Sequence, residues 1–554
     1  MTGHAGVHIV DFEPFGRRNP TGPTATLLDA AQQAGVGLQA ICGGAGICGS
    51  CRVRLMHGEL SPLTSVEIEE LRPEERTDGY RLACQASPRS DVRVDVPPDS
   101  LTAPQRLQVE AHAEPSGSSG IVVPADDRRE GIGLAVDLGT TKVAAYLVDL
   151  TSGRTLAMGG IMNPQIAYGE DIISRIAYAG DDPARREGLQ LRLQEALGDL
   201  VNDLCARIHL TGESIVDAVV VGNTVMHHLF AGLPVHQLGV APYLPASCQP
   251  LTFSAPHPGL AFAPKATVYL PPNIAGYVGG DHVAMLLASD ADRTSGTRLL
   301  IDIGTNSEVS LLHDGELFTC SCPSGPAFEG AHISAGMRAA QGAIERVRIV
   351  DGQVFVATIG NGPPSGICGS GILDAVAEMA GAGVLNHRGA LVKGAPRVRI
   401  RDGRAEFVLV AGAPAGAERE IVITRRDVNE IQLAKAAVRS GIETLLAVAH
   451  ITARQLDEVV LAGAFGTYLD VDSAIRIGMF PPLRLEQFRQ IGNAAGLGAR
   501  QMLVSAERRR TAESLALRAR YVELSSDARF TQRFLDAVTI DTGAPTINTG
   551  SRVI

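Results

Sequence analysis

Leu134-Ala-Val-Asp-Leu-Gly-Thr-Thr-Lys-Val-Ala-Ala-Tyr-Leu-Val-Asp149 has a partner later in the chain, Leu300-Ile-Asp-Ile-Gly-Thr-Asn-Ser-Glu-Val-Ser-Leu-Leu-His-Asp314. Aligned, Asp137 falls on Asp302 and Gly139-Thr140 on Gly304-Thr305. Each copy reads as an apolar strand, an Asp, a Gly-Thr turn and a second strand. A glycine with small hydroxyl or amide neighbours at a hairpin tip offers backbone N–H groups to a phosphate, and an Asp at the strand end can hold Mg2+ directly or through water. Either hairpin alone could be a plain β-turn. Duplicated, Gly139, Thr140, Thr141 and Lys142 on one side and Gly304, Thr305 and Asn306 on the other form a clamp for one nucleotide, with Asp137 and Asp302 beneath. Lys142 could set a point charge near the terminal phosphate or be a solvated strand lysine. No G-x-x-x-x-G-K-S/T run occurs, so a P-loop is excluded. A third element, Val459-Val-Leu-Ala-Gly-Ala-Phe-Gly466, reads as a buried strand running into Gly463, Ala464, Phe465 and Gly466, where the backbone could approach an adenosine closely.

The cysteines mark a second chemistry. Cys42, Cys48 and Cys51 form a C-x5-C-x2-C run in a glycine-rich loop, and Cys84 follows in Tyr80-Arg-Leu-Ala-Cys-Gln85. Glycines at 43, 44, 46 and 49 let a backbone wrap a small inorganic body, and four thiolates suit zinc or an iron-sulfur cluster. Zinc sites usually pair their ligands as two C-x2-C knuckles, whereas three ligands in one loop plus a distant fourth is the 2Fe-2S ferredoxin arrangement. Flanking patterns agree: His8 to Phe12, Arg52 to Met56 and Val92 to Val96 read as strands, and Thr26 to Ala34 as a helix. Gly44-Ala-Gly-Ile-Cys-Gly49 matches a dinucleotide fingerprint only formally, because no helix opens after it.

The chain has 554 residues, 45% apolar and 20% charged, which suits several globular units. A net charge of −11 opposes binding to nucleic acid or anionic lipid. No run of about 20 apolar residues occurs, and Met1 to Phe15 lacks a basic run before an apolar core, so the expectation is a cytoplasmic protein away from the membrane. Nine cysteines in so long a chain favour metal binding over a disulfide framework. Between Asp99 and Ile132 a Pro-, Ser- and Gly-rich stretch reads as a tether or an ordered strap. The expected organisation is a 2Fe-2S domain over 1–99, a linker over 100–131, a first nucleotide-clamp lobe over 132–298, a second lobe with the adenosine motif over 299–520, and a polar C-terminal tail over 521–554.

Residues 1–99 resemble a ferredoxin of the adrenodoxin-like branch. The order of phosphate hairpin, phosphate hairpin and adenosine glycines resembles the actin, hexokinase and heat-shock ATPase superfamily. With Val221-Gly-Asn-Thr-Val-Met-His-His-Leu229, Pro272-Asn-Ile-Ala-Gly-Tyr-Val-Gly-Gly-Asp281 and Gly336-Met-Arg-Ala-Ala-Gln-Gly-Ala-Ile344, the whole chain resembles the reductive activators of corrinoid proteins. The resemblance implies an α+β β-grasp ferredoxin followed by a duplicated α/β, ribonuclease-H-like ATPase, with a 2Fe-2S cluster, ATP and Mg2+. It implies that ATP drives one electron from the cluster onto an inactive Co(II) corrinoid protein or corrinoid-dependent methyltransferase, giving Co(I), with an unknown low-potential electron donor; homodimerisation stays open. It also implies a role for Asp281 in positioning water or metal, since superfamily kinases place a Gly-Asp before the second hairpin; an N-cap is the simpler alternative. Two other classes compete: a redox-regulated metabolite kinase, and a nucleotide-gated ferredoxin binding module. Gly366-Ile-Cys-Gly-Ser-Gly371 could line the cleft. Cys205 and Cys248 read as small apolar residues, Cys320 and Cys322 with Cys368 as a weak second metal set, and His227-His228 as core or surface residues.

Overall fold

The structure is a computed structural model, and it describes residues 7–13, 17–22, 24–34, 36, 38, 44–46, 49, 51–97, 100, 121–169, 171–254, 260–293, 296–330, 332–337, 339, 341–412 and 420–540. Near the N-terminus, a five-stranded mixed sheet has the order Arg17–Thr21, His8–Glu13, Val92–Asp95, Arg52–His57, Tyr80–Leu82. Helix Leu27–Gln33 covers it. Its start is fixed by a reciprocal cap in which Asp29 N donates to Thr26 Oγ1 and Thr26 N to Asp29 Oδ2. Val10, Phe12, Leu27, Val53, Leu82 and Val94 close the core between helix and sheet. This is a β-grasp. Two charged groups sit inside it: Arg81 donates to Glu67 through both Nε (2.8 Å) and Nη2 (3.0 Å), and Leu82 N adds a third bond. Burial opposes the Glu67 charge, but these bonds outweigh it and hold the carboxyl below its usual range.

The rest of the chain is built on two six-stranded sheets that share a five-stranded order and differ in the edge where the sixth strand is added. In the first, Ile132–Leu138, Lys142–Asp149 and Thr155–Met162 form an antiparallel meander, and Ile215–Gly222 joins in parallel beside Ile132–Leu138. In the second, Arg298–Ile303, Ser307–His313 and Glu316–Cys322 repeat the meander, with Glu458–Ala462 in parallel. The central strands are continuous apolar runs because both faces are covered. On the first sheet Leu134, Val136 and Leu138 face one core, while Ala135 faces another. That second core contains helices Gly280–Ala288 and Ala494–Val504 and also takes in Leu300 and Val460 of the second sheet, so both helices lie between the two sheets.

Two stretches flanking the lobes carry structure of their own, and for the first the ordered-strap alternative holds over its described part. Residues 121–131 are a strap on the first lobe: Val123 is buried, Arg129 Nη2 donates to Asp217 Oδ2 and to Leu503 O, and Ala506 N donates to Asp127 Oδ2. Residues 101–120 of the expected linker lie outside the described residues. The expected polar tail carries structure as far as Ile540. Ala519–Tyr521 pairs with Glu316–Cys322, and helix Phe530–Val538 packs on Arg425–Val448, where buried Lys435 donates to Thr539 O and Gln432 Nε2 to Val538 O. Phe530 and Phe534 supply the apolar side of that helix, masked in the sequence by the polar residues between them.

Candidate functional site

Register places the two key aspartates identically. Asp137 pairs with Ala144 across the antiparallel hairpin and with Val221 in parallel; Asp302 pairs with Glu308 and with Ala462. Both hairpin tips reach one cavity of about 310 Å3, lined by Gly139, Thr140, Thr141 and Lys142 from the first and Gly304, Thr305 and Asn306 from the second. Asp281 also reaches it, from helix Gly280–Ala288. The N-cap of that helix is Gly279, so Asp281 stands in the first turn and does not cap; its Oδ1 accepts from His282 N at 2.7 Å. The helix is tied to the second sheet through a buried chain in which His282 Nε2 meets Ser310 Oγ at 2.7 Å, Ser310 donates to Thr319 Oγ1, and Thr319 to Val309 O. Burial pushes the His282 imidazole down to about 3, so the ring is neutral and donates to Ser310.

The floor of the cavity is acidic. Burial lifts Asp137 to about 6 despite a 2.8 Å hydrogen bond from Asn493. Burial and the Asp137 charge lift Asp302 to about 7, and burial with the charges of Asp302 and Asp137 lifts Asp281 to about 8. Glu308 is raised by burial and by Asp281 and Asp302. Asp137, Asp281, Asp302, Glu308, Glu329 and Glu345 line the cavity, with Lys142 the single basic residue among its described lining. Such a floor repels a polyphosphate unless a hard cation intervenes, so the donor set fits Mg2+. No three His, Cys, Asp or Glu side chains among the described residues are grouped to bind a metal alone. A cation here would complete its shell with water and phosphate oxygens, as Mg2+ commonly does.

This electrostatic strain has a measurable sign. A carboxyl whose folded pKa exceeds its unfolded value of about 4 adds stability in acid that is lost as pH rises through the folded value. For Asp137, Asp302 and Asp281 that window ends at about 6, 7 and 8. Metal-free wild type is therefore expected to lose more melting temperature between about pH 6 and pH 8 than Asp281→Asn does, and saturating Mg2+ should narrow the gap. Thermal melts in the two buffers check this; parallel pH slopes for the two proteins would dispose of the shared acidic floor.

Several residues that sequence reasoning missed hold the tips. Asn163 Nδ2 donates to Gly139 O at 2.9 Å, and the buried Arg175 donates to Thr140 O from behind. Asn223 Nδ2 donates to Thr140 Oγ1 at 2.9 Å, which leaves the Thr140 proton for another acceptor. Ser324 Oγ lies 3.2 Å from both Gly304 O and Thr305 O. Glu329 Oε2 accepts from Thr141 Oγ1 at 3.1 Å, and Glu329 Oε1 accepts from Thr305 Oγ1. Only the Asn223 position had a signal, the Gly-Asn-Thr turn ahead of helix Thr224–Phe230.

The third element is the expected buried strand, Glu458–Ala462, and the residues it runs into, Gly463–Tyr468, are helical. Gly463 and Phe465 line the cavity, with Phe465 stacked on Phe328 at 4.6 Å; Gly466 lies in the helix outside the lining, its carbonyl accepting from Gln490. Ala464 belongs to the same helix. Gly463 has φ 86°, and a Cβ there would stand 2.5 Å from Asp302 Oδ1 and 2.7 Å from Ile303 O. Gly463→Ala is therefore expected to cost about 1–3 kcal/mol of stability and to weaken nucleotide binding at least tenfold; melting and titration calorimetry check both. Cys368, Gly369 and Ser370 line the cavity where helix Gly369–Gly381 begins, so the Gly366–Gly371 segment does reach the cleft.

Of the cluster candidates, Cys42 and Cys48 lie outside the described residues. Cys51 and Cys84 are buried and adjacent, because Arg52 pairs with Leu82 and Ala83 N donates to Cys51 O. Gly46 has φ 81°, and a Cβ there would stand 2.8 Å from Gln85 Nε2, which itself approaches Cys84 Sγ at 3.7 Å. Gly46 thus comes close to the Gln85 amide beside the Cys84 thiol, and two adjacent buried thiols with that glycine fit part of a 2Fe-2S shell. The remaining cysteines are not assembled with it. Cys320 and Cys322 meet at 4.0 Å inside the second-lobe core, Cys368 Sγ is bonded to Ile344 O, and Cys205 is a buried first-lobe core residue. Cys248 is half-buried. His227 and His228 are both buried, and burial lowers them to about 3 and 4.

Comparison with known proteins gives three family matches. Residues 15–89 match a 2Fe-2S iron-sulfur cluster binding domain, 132–294 the RACo middle region, and 296–548 the C-terminal domain of RACo, the ASKHA domain. The corrinoid activation enzyme RamQ of Eubacterium limosum is 36% identical over 423 residues, 74% of this chain and 71% of that one. The Co(II) methylated amine-specific corrinoid protein reductase of Methanosarcina barkeri is 25% identical over 413 residues, 68% and 70% of the two chains. A solved reductive activator for corrinoid, iron-sulfur protein superposes with a TM-score of 0.68 at 32% identity, covering 96% of this chain and 98% of that one.

Proposed function

Because the chain belongs to the family of reductive activators of corrinoid proteins, we propose that it uses ATP to deliver one electron to an inactive Co(II) corrinoid protein, returning the cobalt to Co(I). The observation that carries the reading is the shared acidic floor beneath two facing Asp-x-Gly-Thr hairpins, on a chain that also sets Cys51 beside Cys84. The cluster supplies one-electron transfer. A ferredoxin-type centre works near about −400 mV, and each 59 mV uphill costs about 1.4 kcal/mol for one electron, so a lower-potential acceptor requires an energy source.

The chain's residues divide the work. Thr140, Thr141 and Thr305 hydroxyls and the hairpin amides bind the phosphate chain, with Asn163, Arg175 and Ser324 fixing the tips from behind. Asp137, oriented by Asn493, and Asp302 would hold Mg2+, which neutralises phosphate charge. Asp281 orients the attacking water. Phe328 and Phe465 supply apolar surface for the adenosine side of the cavity. Binding and hydrolysis shift the balance between lobe arrangements and so alter affinity for the corrinoid partner, a population change that needs no phosphorylated intermediate. A low-potential donor reloads the cluster. Among the described residues no helix is long and apolar enough to cross a membrane; a cytoplasmic location is our expectation from the thiol ligands.

The test is a reconstituted mixture of the full chain, a chemical reductant and a Co(II) corrinoid protein, followed by cobalt spectroscopy. Reduction is expected with ATP and Mg2+ and at background with ADP or no nucleotide. Equal rates in all three would defeat the reading.

A further inference from the structure

Of the acidic groups that line the cavity, Asp137 and Asp302 are accounted for by a cation and Asp281 by water, but Glu329 has neither role. It sits at the end of the one-turn helix Pro326–Glu329 and reaches the hairpin tips themselves. Its two carboxylate oxygens are divided between the lobes, Oε2 accepting from Thr141 of the first hairpin and Oε1 from Thr305 of the second. An anionic group accepting from both tip hydroxyls occupies the role that phosphate oxygens would take. We infer that Glu329 is a resident anion of the cleft, which joins the two hairpins when no nucleotide is bound and must yield both hydroxyls when a phosphate chain enters.

The geometry gives this contact leverage. The Thr141 to Glu329 bond spans the cleft, whereas Thr305 and Glu329 lie on the same lobe. Phe328, the preceding residue, is stacked on Phe465 with the planes 14° apart, so the segment that carries the carboxylate also meets the proposed adenosine side. A ligand filling both ends of the cavity would act on neighbouring residues of one short turn. Glu329 is a positioning residue in this account: it sets the separation of the tips and competes with the ligand, and takes no part in bond breaking. Its negative charge penalises phosphate in proportion to the phosphate carried, and leaves a bare nucleoside unaffected.

The inference rests on the reading of the cavity as a nucleotide site, and the experiment separates the two. Full-length wild type, Glu329→Gln and Glu329→Ala are titrated calorimetrically with adenosine, ADP and ATP in the presence of Mg2+, with thermal melting as the check on folding. Glu329→Gln keeps an acceptor and removes the charge, so ADP and ATP are expected to bind about five- to tenfold more tightly, with adenosine within about twofold of wild type. Amide exchange without nucleotide is the second arm. Removing the acceptor in Glu329→Ala is expected to speed exchange at 139–142 and 304–306 together. A uniform change for all three ligands, weaker ATP binding, or unaltered exchange at both tips would each overturn the inference. Wild type that binds neither ADP nor ATP would overturn the nucleotide site itself and the inference with it.

Discussion

Asp281→Asn is expected to lower ATP turnover about 10²- to 10⁴-fold while moving ATP affinity less than about threefold. The substitution is close to isosteric, and the amide oxygen can still accept from His282 N, the bond now made by Asp281 Oδ1. Helix Gly280–Ala288 keeps its start because Gly279 is the N-cap, and it keeps its anchorage because His282, Ser310 and Thr319 are untouched. What disappears is a charge beside Asp302 and Asp137, where burial already holds the carboxyl at about 8. A Mg2+ ion close to the carboxyl favours its ionised form, and that is the form able to take a proton from water. Single-turnover hydrolysis read beside ATP titration separates the two quantities. Turnover within about threefold of wild type would reduce Asp281 to a helix residue of structural use only.

Cys84→Ser is expected to remove the visible absorbance of the cluster and bring Co(II) reduction to background, with ATP turnover held within about threefold. Soft iron prefers thiolate, and a serine hydroxyl near its ordinary pKa is a poor replacement. The effect is confined because Cys84 belongs to the β-grasp core, with Val10, Phe12 and Leu82, while the hairpins belong to sheets with separate cores. Cys205→Ser is the matched control. Its thiol is buried in the first lobe, so it should cost stability and leave absorbance unchanged. Full absorbance and full reduction in Cys84→Ser would remove Cys84 from the ligand set.

The hairpins were legible because everything they need is local: an apolar run, an Asp, a Gly-Thr tip and the returning strand. Cys51 and Cys84 were legible because thiols are rare in this chain and the glycine spacing is unusual. Asn493, Arg175 and Glu329 were not, since each reaches the site from elements distant in sequence and carries no local pattern. Gly463 illustrates a partial reading. The sequence marks a close approach, yet the closest atoms met are those of Asp302 and Ile303, and the chain turns into a helix at that point. The Pro-, Ser- and Gly-rich composition of 100–131 likewise gave no sign that Arg129 would reach Asp217 and Leu503 O.

That strap changes the arithmetic of encounter. Its anchor lies where strand Ile132–Leu138 begins, and the nucleotide-binding tip lies where the strand ends, about 20 Å away. The cluster module meets the same lobe elsewhere, Gln32 Nε2 donating to Ala167 O and Arg192 Nη2 to Gln32 O. Residues 101–120 can span no more than roughly 70 Å at full extension. A sphere of that radius holding one module corresponds to a local concentration of about 1 mM. A corrinoid protein bound to this chain would therefore meet its electron carrier at roughly millimolar strength however dilute the cell keeps the protein, and lengthening the 101–120 segment should slow reduction without touching ATP turnover.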